Sequence, residues 1–272
     1  MDDRPIGVFD SGVGGLTVLR ALRDAMPAES FIYLGDTARL PYGTKGPVTV
    51  RRYAEQAAAH LMARDVKMIV VACNTASAVA VEHLRDRLAP VPVVGVIEPG
   101  AQALCAATTT KRVAVLATPG TVSGGAYEAA IARVDSTIRV TSVACALFVS
   151  LAEEGWVRGP VTEAAVEAYL RPLLSLGTNT PEIDALVLGC THFPVLRGAV
   201  EDFLGPNVVV VDSAVTTAQV VSSQLASSGL NTADSEGQVR FLATDEPGRF
   251  AEVGCLFIGE SLSAADVERI DL

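Results

Sequence analysis

The sequence predicts an α/β protein with two pseudo-symmetric, doubly wound domains, mainly parallel sheets and an active-site cleft between the domains. Short apolar runs alternate with longer stretches of helical spacing along most of the chain, and two parts of the chain resemble each other. Continuous apolar strands between amphipathic helices are typical of parallel sheets that are covered on both faces.

Apolar runs and helical periodicity give the order of the elements. Strands are predicted at residues 6–9, 31–34, 68–72, 93–97, 113–116, 185–188, 208–211 and 239–242. Helices are predicted at residues 16–26, 50–64, 78–88, 101–107, 125–133, 162–176, 195–204 and 215–226. The polar stretch that follows Ser227 is expected to be an exposed loop.

A weak internal repeat sets the expected domain boundaries. Residues 6–12 resemble residues 113–119, and residues 70–75 resemble residues 187–192. In the second pair a cysteine follows the strand in both copies, and small polar residues come next. We therefore expect a first domain of residues 1–97 plus 208–272 and a second domain of residues 98–207. The strand at 208–211 has no counterpart in this scheme and is assigned to the first domain.

Composition restricts the class of protein. The chain has 272 residues, of which 50% are hydrophobic and 19% are charged, so it can bury a core. No apolar run approaches the ~18 residues of a membrane span, and the N-terminus does not resemble a signal peptide. The net charge of −10 does not suit direct nucleic-acid binding. We expect a cytoplasmic protein with no membrane partner and five free cysteines.

Two of the cysteines lie where ligands bind in such folds. Ligands of open α/β sheets bind beyond the carboxyl ends of the strands, and Cys73 and Cys190 each follow a strand and precede a helical segment. A helix N-terminus is expected to lower the pKa of a thiol there. Two thiols from two related halves would face each other across a cleft. That arrangement suits inversion at carbon, in which one group removes a proton and the other delivers one.

Each thiol also has a candidate partner. Asp10 ends the first strand, which is expected to neighbour the strand before Cys73, and His192 lies two residues after Cys190. A helix cap is the simpler interpretation of Asp10, and a structural histidine is the simpler interpretation of His192.

Other chemistries fit the same residues less well. Thr17 replaces the third glycine of a dinucleotide-binding motif, and no Walker motif is present. A zinc site would lack the usual paired ligand spacing, and no lysine follows a strand end as a pyridoxal phosphate anchor would, so we expect neither metal nor cofactor. A cysteine hydrolase that used Cys190, His192 and Asp10 would leave Cys73 unexplained.

Five motifs together resemble the glutamate racemase family. They are GVFDSGVGGLT at 7–17, YLGD at 33–36, RLPYG at 39–43, ACNTAS at 72–77 and GCTHFP at 189–194. The resemblance implies a cofactor-independent isomerase that interconverts L- and D-glutamate and supplies D-glutamate for peptidoglycan synthesis, and hence for cell wall biogenesis and cell shape.

The resemblance also implies the roles of individual residues. Cys73 would take the α-proton of D-glutamate with the help of Asp10, and Cys190 that of L-glutamate with the help of His192. Glu153 falls where the family has a further assisting carboxylate, although the sequence alone indicates a solvated charge at a helix end. The expected substrate contacts are Asp10, Ser11, Tyr42, Gly43, Asn74, Thr75, Thr118, Thr121, Thr191 and His192.

Two alternatives to this function stay open at the level of sequence. One is a racemase of another acidic amino acid such as aspartate, because one methylene is worth only ~1–3 kcal/mol in a pocket. The other is a binding or regulatory protein on the same fold. The family resemblance implies a homodimer, and some glutamate racemases associate with DNA gyrase, but no feature of this sequence identifies such a surface.

Overall fold

Two parallel sheets organise the protein. The computed structural model describes residues 1–174, 182–232 and 236–272. The first sheet has the strand order β10-β9-β2-β1-β3-β4 and the second has the order β6-β5-β7-β8. All strand pairs within these ranges are parallel. The strands are β1 Ile6–Asp10, β2 Phe31–Gly35, β3 Met68–Val71, β4 Val93–Gly95, β5 Arg112–Ala117, β6 Arg139–Ala144, β7 Ala185–Gly189, β8 Val209–Asp212, β9 Val239–Ala243 and β10 Val267–Arg269. The predicted fold class is confirmed.

Helices cover both faces of each sheet, as the continuous apolar strands predict. They are α1 Leu16–Ala25, α2 Pro47–Met62, α3 Asn74–Leu88, α4 Ile97–Ala107, α5 Pro119–Ser123, α6 Ala126–Val134, α7 Ala146–Glu153, α8 Pro160–Leu170, α9 Arg197–Leu204, α10 Ser213–Ser228 and α11 Pro247–Ile258. On the first sheet, α1, α10 and α11 bury one apolar cluster, and α2 and α3 bury another. On the second sheet, α7, α8 and α9 cover one face, and α4 and α6 cover the other.

The four strands of the second sheet have the same order as four neighbouring strands of the first, which supports the predicted repeat. In the first, β1 lies between β2 and β3, and β4 follows β3; in the second, β5 lies between β6 and β7, and β8 follows β7. The strands β3 and β7 therefore occupy equivalent places. Because Cys73 and Cys190 follow these strands, the two thiols lie at equivalent positions in the two sheets.

The prediction that the strand at 208–211 belongs to the first domain is wrong. The strand β8 pairs with β7 and is the counterpart of β4, so it completes the second sheet. The chain returns to the first sheet only after β8, through α10, which packs against α1. The spacing of hydrophobic residues predicts a strand at this position, but it does not show whether the chain returns to the first sheet before or after that strand. The remaining domain limits stay predictions.

Several elements have no strong signal in the sequence. The strand β6 is a partly exposed edge strand with polar residues, and β10 has three residues, so neither forms a continuous apolar run. The helices α7 and α11 were also missed. Of the predicted helix at 162–176, the structure has α8 and a 3-10 turn, Arg171–Leu173, while residues 175 and 176 lie outside the described residues, as do residues 233–235 of the predicted loop. Within the described ranges, no helix is long and apolar enough to cross a membrane.

Candidate active site

The carboxyl ends of the central strands carry the candidate site. Asp10 is the last residue of β1, Cys73 is the N-cap of α3, and Cys190 follows β7 directly. The Cys73 sulfur accepts a hydrogen bond from the backbone amide of Ala76 at 3.4 Å. All three side chains are buried, with exposures of 0% for Asp10, 5% for Cys73 and 6% for Cys190.

The first half of the site contains Cys73, Ser11 and Asp10. The Cys73 sulfur lies 3.6 Å from the Ser11 hydroxyl, and the backbone amide of Gly12 donates to the Asp10 carboxylate at 3.0 Å. Burial and the nearby Asp10 charge raise the pKa of Cys73 to about 12. Burial also raises the pKa of Asp10. The expected lowering of the Cys73 pKa was therefore wrong, because removal from water outweighs the favourable amide of the helix N-terminus.

The second half of the site is a chain of three titratable side chains. His192 Nδ1 lies 3.9 Å from the Cys190 sulfur, and His192 Nε2 lies 3.0 Å from Glu153 Oε1. Burial opposes the positive imidazolium, but the hydrogen bonds to Cys190 and Glu153 outweigh it and raise the pKa of His192 to about 10. The pKa of Glu153 is lowered, because the bond to His192 outweighs the effect of burial. His192 is therefore protonated at neutral pH.

Contacts between the two sheets bring these halves together. Thr191 donates a hydrogen bond to Asp10 at 3.4 Å, and Thr17 lies within 3.2 Å of the Thr191 carbonyl oxygen. A Cβ atom on Gly14 would lie 2.5 Å from both His192 Nδ1 and Thr191 Oγ1, so only glycine allows this approach.

Hydroxyl groups form another part of the site. Thr118 lies 3.0 Å from Thr75 and 3.1 Å from Thr121, oxygen to oxygen. Gly43 packs against this group, since a Cβ there would lie 2.7 Å from the Thr118 Cβ. The predicted contacts Gly43, Thr75, Thr118 and Thr121 are thus brought together by residues of both sheets.

Tyr42 occupies a different environment from the one that the sequence suggests. Its ring is buried, and its hydroxyl donates to the Asp36 carboxylate, which also accepts bonds from Arg39 at 2.7 Å and from Thr244 at 3.0 Å. Burial raises the pKa of Tyr42. Its hydroxyl supports the turn that carries Gly43, and the backbone at Tyr42 remains the candidate contact.

Two aromatic residues of the site, Tyr127 and Phe257, were not predicted from the sequence. The hydroxyl of Tyr127 accepts a hydrogen bond from the Asn74 side chain at 2.8 Å. The ring of Phe257 meets the His192 imidazole edge to face, with centroids 5.3 Å apart. Both lie in amphipathic helices, where an aromatic residue is indistinguishable from an ordinary core residue, so the sequence carries no signal for them.

Potential metal ligands do not cluster in the described ranges. Among residues 1–174, 182–232 and 236–272 there is no group of three or more His, Cys, Asp or Glu side chains that could hold a metal ion.

The comparisons with known proteins agree on one family. The model of the Asp/Glu/Hydantoin racemase family matches residues 6–221. The glutamate racemase of Geobacter metallireducens is 47% identical over 270 residues, which is 99% of this chain and 97% of that protein. The crystal structure of the Francisella tularensis glutamate racemase in complex with D-glutamate has a TM-score of 0.90 at 37% identity, covering 99% of this chain and 98% of that one. The crystal structure of the glutamate racemase isoform RacE1 from Bacillus anthracis has a TM-score of 0.93 at 33% identity, covering 100% of this chain and 99% of that one.

Proposed function

The chain belongs to the Asp/Glu/Hydantoin racemase family, and we propose that Cys73 and Cys190 are the two acid/base groups with which it racemises glutamate. It is an isomerase that interconverts L- and D-glutamate. The chain's own side chains supply both proton-transfer groups, so the reaction described below requires no cofactor. Supply of D-glutamate for peptidoglycan is the cellular role that this family membership supports.

One observation carries the assignment of the two thiols. Cys73 and Cys190 follow equivalent strands in the part of the strand order that the two sheets share, and each sulfur contacts its own polar partner. Inversion at a carbon atom requires proton transfer on opposite faces, and a duplicated fold supplies one group for each face. A hydrolase based on Cys190 and His192 would need only one thiol, so it leaves the second without a role.

The protonation state of Cys73 favours its role as the acid in one direction of the reaction. At neutral pH the raised pKa of Cys73 keeps its proton on sulfur, so Cys73 is ready to act as an acid. With L-glutamate, the Cys190 thiolate takes the α-proton, and the electron pair of the broken C–H bond remains on the α-carbon. Cys73 then donates its proton to the opposite face, which gives D-glutamate and a Cys73 thiolate. Transfer of a proton back to Cys73 and away from Cys190 restores the starting state.

Asp10, His192 and Glu153 are proposed to assist these transfers. Asp10 lies beside Cys73 and is fully buried, so its carboxyl can exchange a proton with the thiol without bulk water. His192 carries a proton next to Cys190, and Glu153 holds the imidazole from the other side. The two thiols therefore differ in their partners, although their positions in the fold are equivalent.

The substrate is proposed to bind through neutral donors and hydroxyl groups. Ser11 and Asn74 flank the Cys73 side, Thr191 flanks the Cys190 side, and the threonines 75, 118 and 121 with Gly43 form a hydroxyl-rich group between the sheets. Helix N-termini and hydroxyls can bind carboxylates without an arginine. This explains how a chain with a net charge of −10 can accept a dicarboxylate.

Proton NMR of L-glutamate in D2O tests the function directly. The purified protein, with no added cofactor, should remove the α-proton signal while D-glutamate appears. Cys73→Ser and Cys190→Ser should each lower racemisation by at least about a hundredfold, because general acid–base groups contribute 10²–10⁴-fold. Cys255→Ser is a matched control, since this thiol lies in α11 and bonds to the Ala251 and Leu262 carbonyls. An unchanged glutamate signal from folded protein would refute the proposal, and aspartate would be tested next.

The assembly and location of the protein remain proposals. The resemblance to other glutamate racemases supports a homodimer, and the free cysteines support a cytoplasmic location. Some glutamate racemases associate with DNA gyrase, but no feature of this sequence identifies a surface for that partner. Sedimentation of the purified chain tests for the homodimer.

A further inference from the structure

Tyr127 touches the neighbours of both candidate thiols. Its hydroxyl accepts a hydrogen bond from the side-chain Nδ2 of Asn74, which follows Cys73, at 2.8 Å. Its ring lies against Gly189, which precedes Cys190: a Cβ on Gly189 would be 2.9 Å from the Tyr127 Cε2 atom. Tyr127 is itself only 1% exposed. A side chain from α6, on the second sheet, thus reaches a residue of the first sheet beside the site.

Gly100 leaves room for the hydroxyl of Tyr127. A Cβ on Gly100 would lie 3.2 Å from the Tyr127 hydroxyl oxygen, so a larger residue there would crowd it. The side chain of Ser213 lies beside the hydroxyl, because a Cβ on Gly100 would also be 3.2 Å from the Ser213 Cβ. Burial raises the pKa of Tyr127, which keeps the hydroxyl protonated.

The Asn74 amide is bound at one end only. Its Nδ2 donates to Tyr127, whereas its Oδ1 is buried without a hydrogen-bond partner among the residues that the structure describes. Asn74 is 2% exposed, so bulk water does not readily satisfy this oxygen. A buried acceptor that lacks a donor is unfavourable, and a ligand that brings a donor removes that cost. On the proposed function, the substrate's ammonium group is the donor available beside Cys73.

We propose that Tyr127 is a positioning residue that fixes the Asn74 amide so that its oxygen accepts a hydrogen bond from the substrate ammonium. The inference rests on the proposed glutamate racemase function. Without the tyrosine hydroxyl, the amide can rotate and present its NH₂ group, a donor, to an ammonium group that also only donates. The ammonium is present in the bound substrate and in the transition state alike. Tyr127 therefore acts mainly on substrate binding rather than on the chemical step.

The decisive variant is Tyr127→Phe, which removes one oxygen atom and keeps the ring. We expect the KM for each enantiomer of glutamate to rise about tenfold, which corresponds to about 1.4 kcal/mol, with kcat changed by less than about threefold. Tyr169→Phe is the matched control, because that hydroxyl accepts one hydrogen bond from the Leu147 amide, at 3.1 Å, away from the thiols. Its KM should equal that of the wild type.

An inhibitor without the ammonium group shows whether Tyr127→Phe acts only on the contact between Asn74 and the ammonium or changes the whole pocket. Glutarate has both carboxylates of glutamate but no amino group, so its inhibition constant should be the same for the wild type and Tyr127→Phe. An equal rise in the glutarate constant and in the KM, or an unchanged KM, would overturn the inference. A fall in kcat at constant KM would overturn it as well. If the wild type does not racemise glutamate, the proposed function fails first, and that result is distinguishable from each of these.

A double-mutant cycle tests whether Tyr127 acts through Asn74. Asn74→Ala removes the amide, so Tyr127→Phe should add less than about twofold to the KM in that background. A full additional factor of about ten would show that the hydroxyl acts elsewhere. Ser213→Ala leaves the tyrosine intact and removes a polar side chain that lies beside its hydroxyl, so it should raise the KM in the same direction. This variant keeps the inference testable if Tyr127→Phe does not remain folded, and an unchanged KM for it would then count against the inference.

Discussion

Glu153→Gln should lower the pKa of His192 and move the alkaline limit of racemisation toward neutral pH. The carboxylate of Glu153 lies 3.0 Å from His192 Nε2 and stabilises the imidazolium, whose pKa is about 10. Glutamine retains the shape of the side chain and its ability to accept a hydrogen bond but carries no charge. The proposed mechanism requires a proton on His192, so activity should be lost as the pH rises through its pKa.

The size of the effect follows from the geometry. The side chains of His192 and Glu153 are 6% and 20% exposed, so solvent screens the pair only in part. A hydrogen bond to a charged group contributes about 1.5–3 kcal/mol, and a neutral one about 1 kcal/mol. The difference is about 0.5–2 kcal/mol, and 1.36 kcal/mol corresponds to one pKa unit. The His192 pKa should therefore fall from about 10 to roughly 9 in the variant.

The assay is the pH dependence of kcat/KM from about pH 6 to about pH 10.5, because this quantity reports the ionisations of the free enzyme. Glu154→Gln is the matched control. Its carboxylate lies next in the chain, is 63% exposed and is 3.7 Å from Arg249, so it should not affect the alkaline limb. Superimposable profiles for the two variants would refute the role of Glu153. A shift in both would indicate an effect of total charge rather than of the pair.

Other changes around His192 have separate expected outcomes. Phe257→Leu removes an edge-to-face contact, with centroids 5.3 Å apart, and should lower kcat/KM by roughly two- to tenfold while circular dichroism stays unchanged. Gly14→Ala places a methyl group 2.5 Å from both His192 Nδ1 and Thr191 Oγ1, and should lower kcat/KM by about a hundredfold; wild-type kinetics would show that the two sheets separate without cost. The pKa of His192 is raised in the fold from 6.5 to about 10, so its contribution to stability is complete below about pH 6.5 and is lost as the pH rises through about 10. Chemical denaturation across this range should show the loss, and Glu153→Gln should reduce it.

The strand ends were predictable from sequence because of chain topology. Buried parallel strands form apolar runs, and ligand-binding groups follow their carboxyl ends. Cys73, Cys190 and Asp10 all satisfy this rule, and all three lie at the predicted ends. Periodicity also predicts β8 as a strand, but its neighbours in space are not encoded in that pattern. Its assignment to the first sheet failed for this reason.

The remaining members of the site depend on distances that no local pattern contains. The sequence indicates a surface charge for Glu153, yet the residue pairs with a histidine 39 positions later. Tyr127 and Phe257 have the spacing of core residues, and only the fold shows which polar groups they contact. The pKa of Cys73 was predicted in the wrong direction, since sequence shows the helix N-terminus but not the burial that outweighs it.

The two halves of the site are equivalent in topology but differ in charge, and thermodynamics limits how this difference can appear. Cys73 lies beside a buried carboxyl group, whereas Cys190 lies beside an imidazolium that Glu153 stabilises. L- and D-glutamate have equal free energies in water, so kcat/KM must be the same in both directions at every pH. A change on one side, such as Glu153→Gln, must therefore lower kcat/KM equally for both enantiomers. The asymmetry of the site can appear only in kcat and KM taken separately, where opposite changes in the two directions would identify which thiol the variant affects.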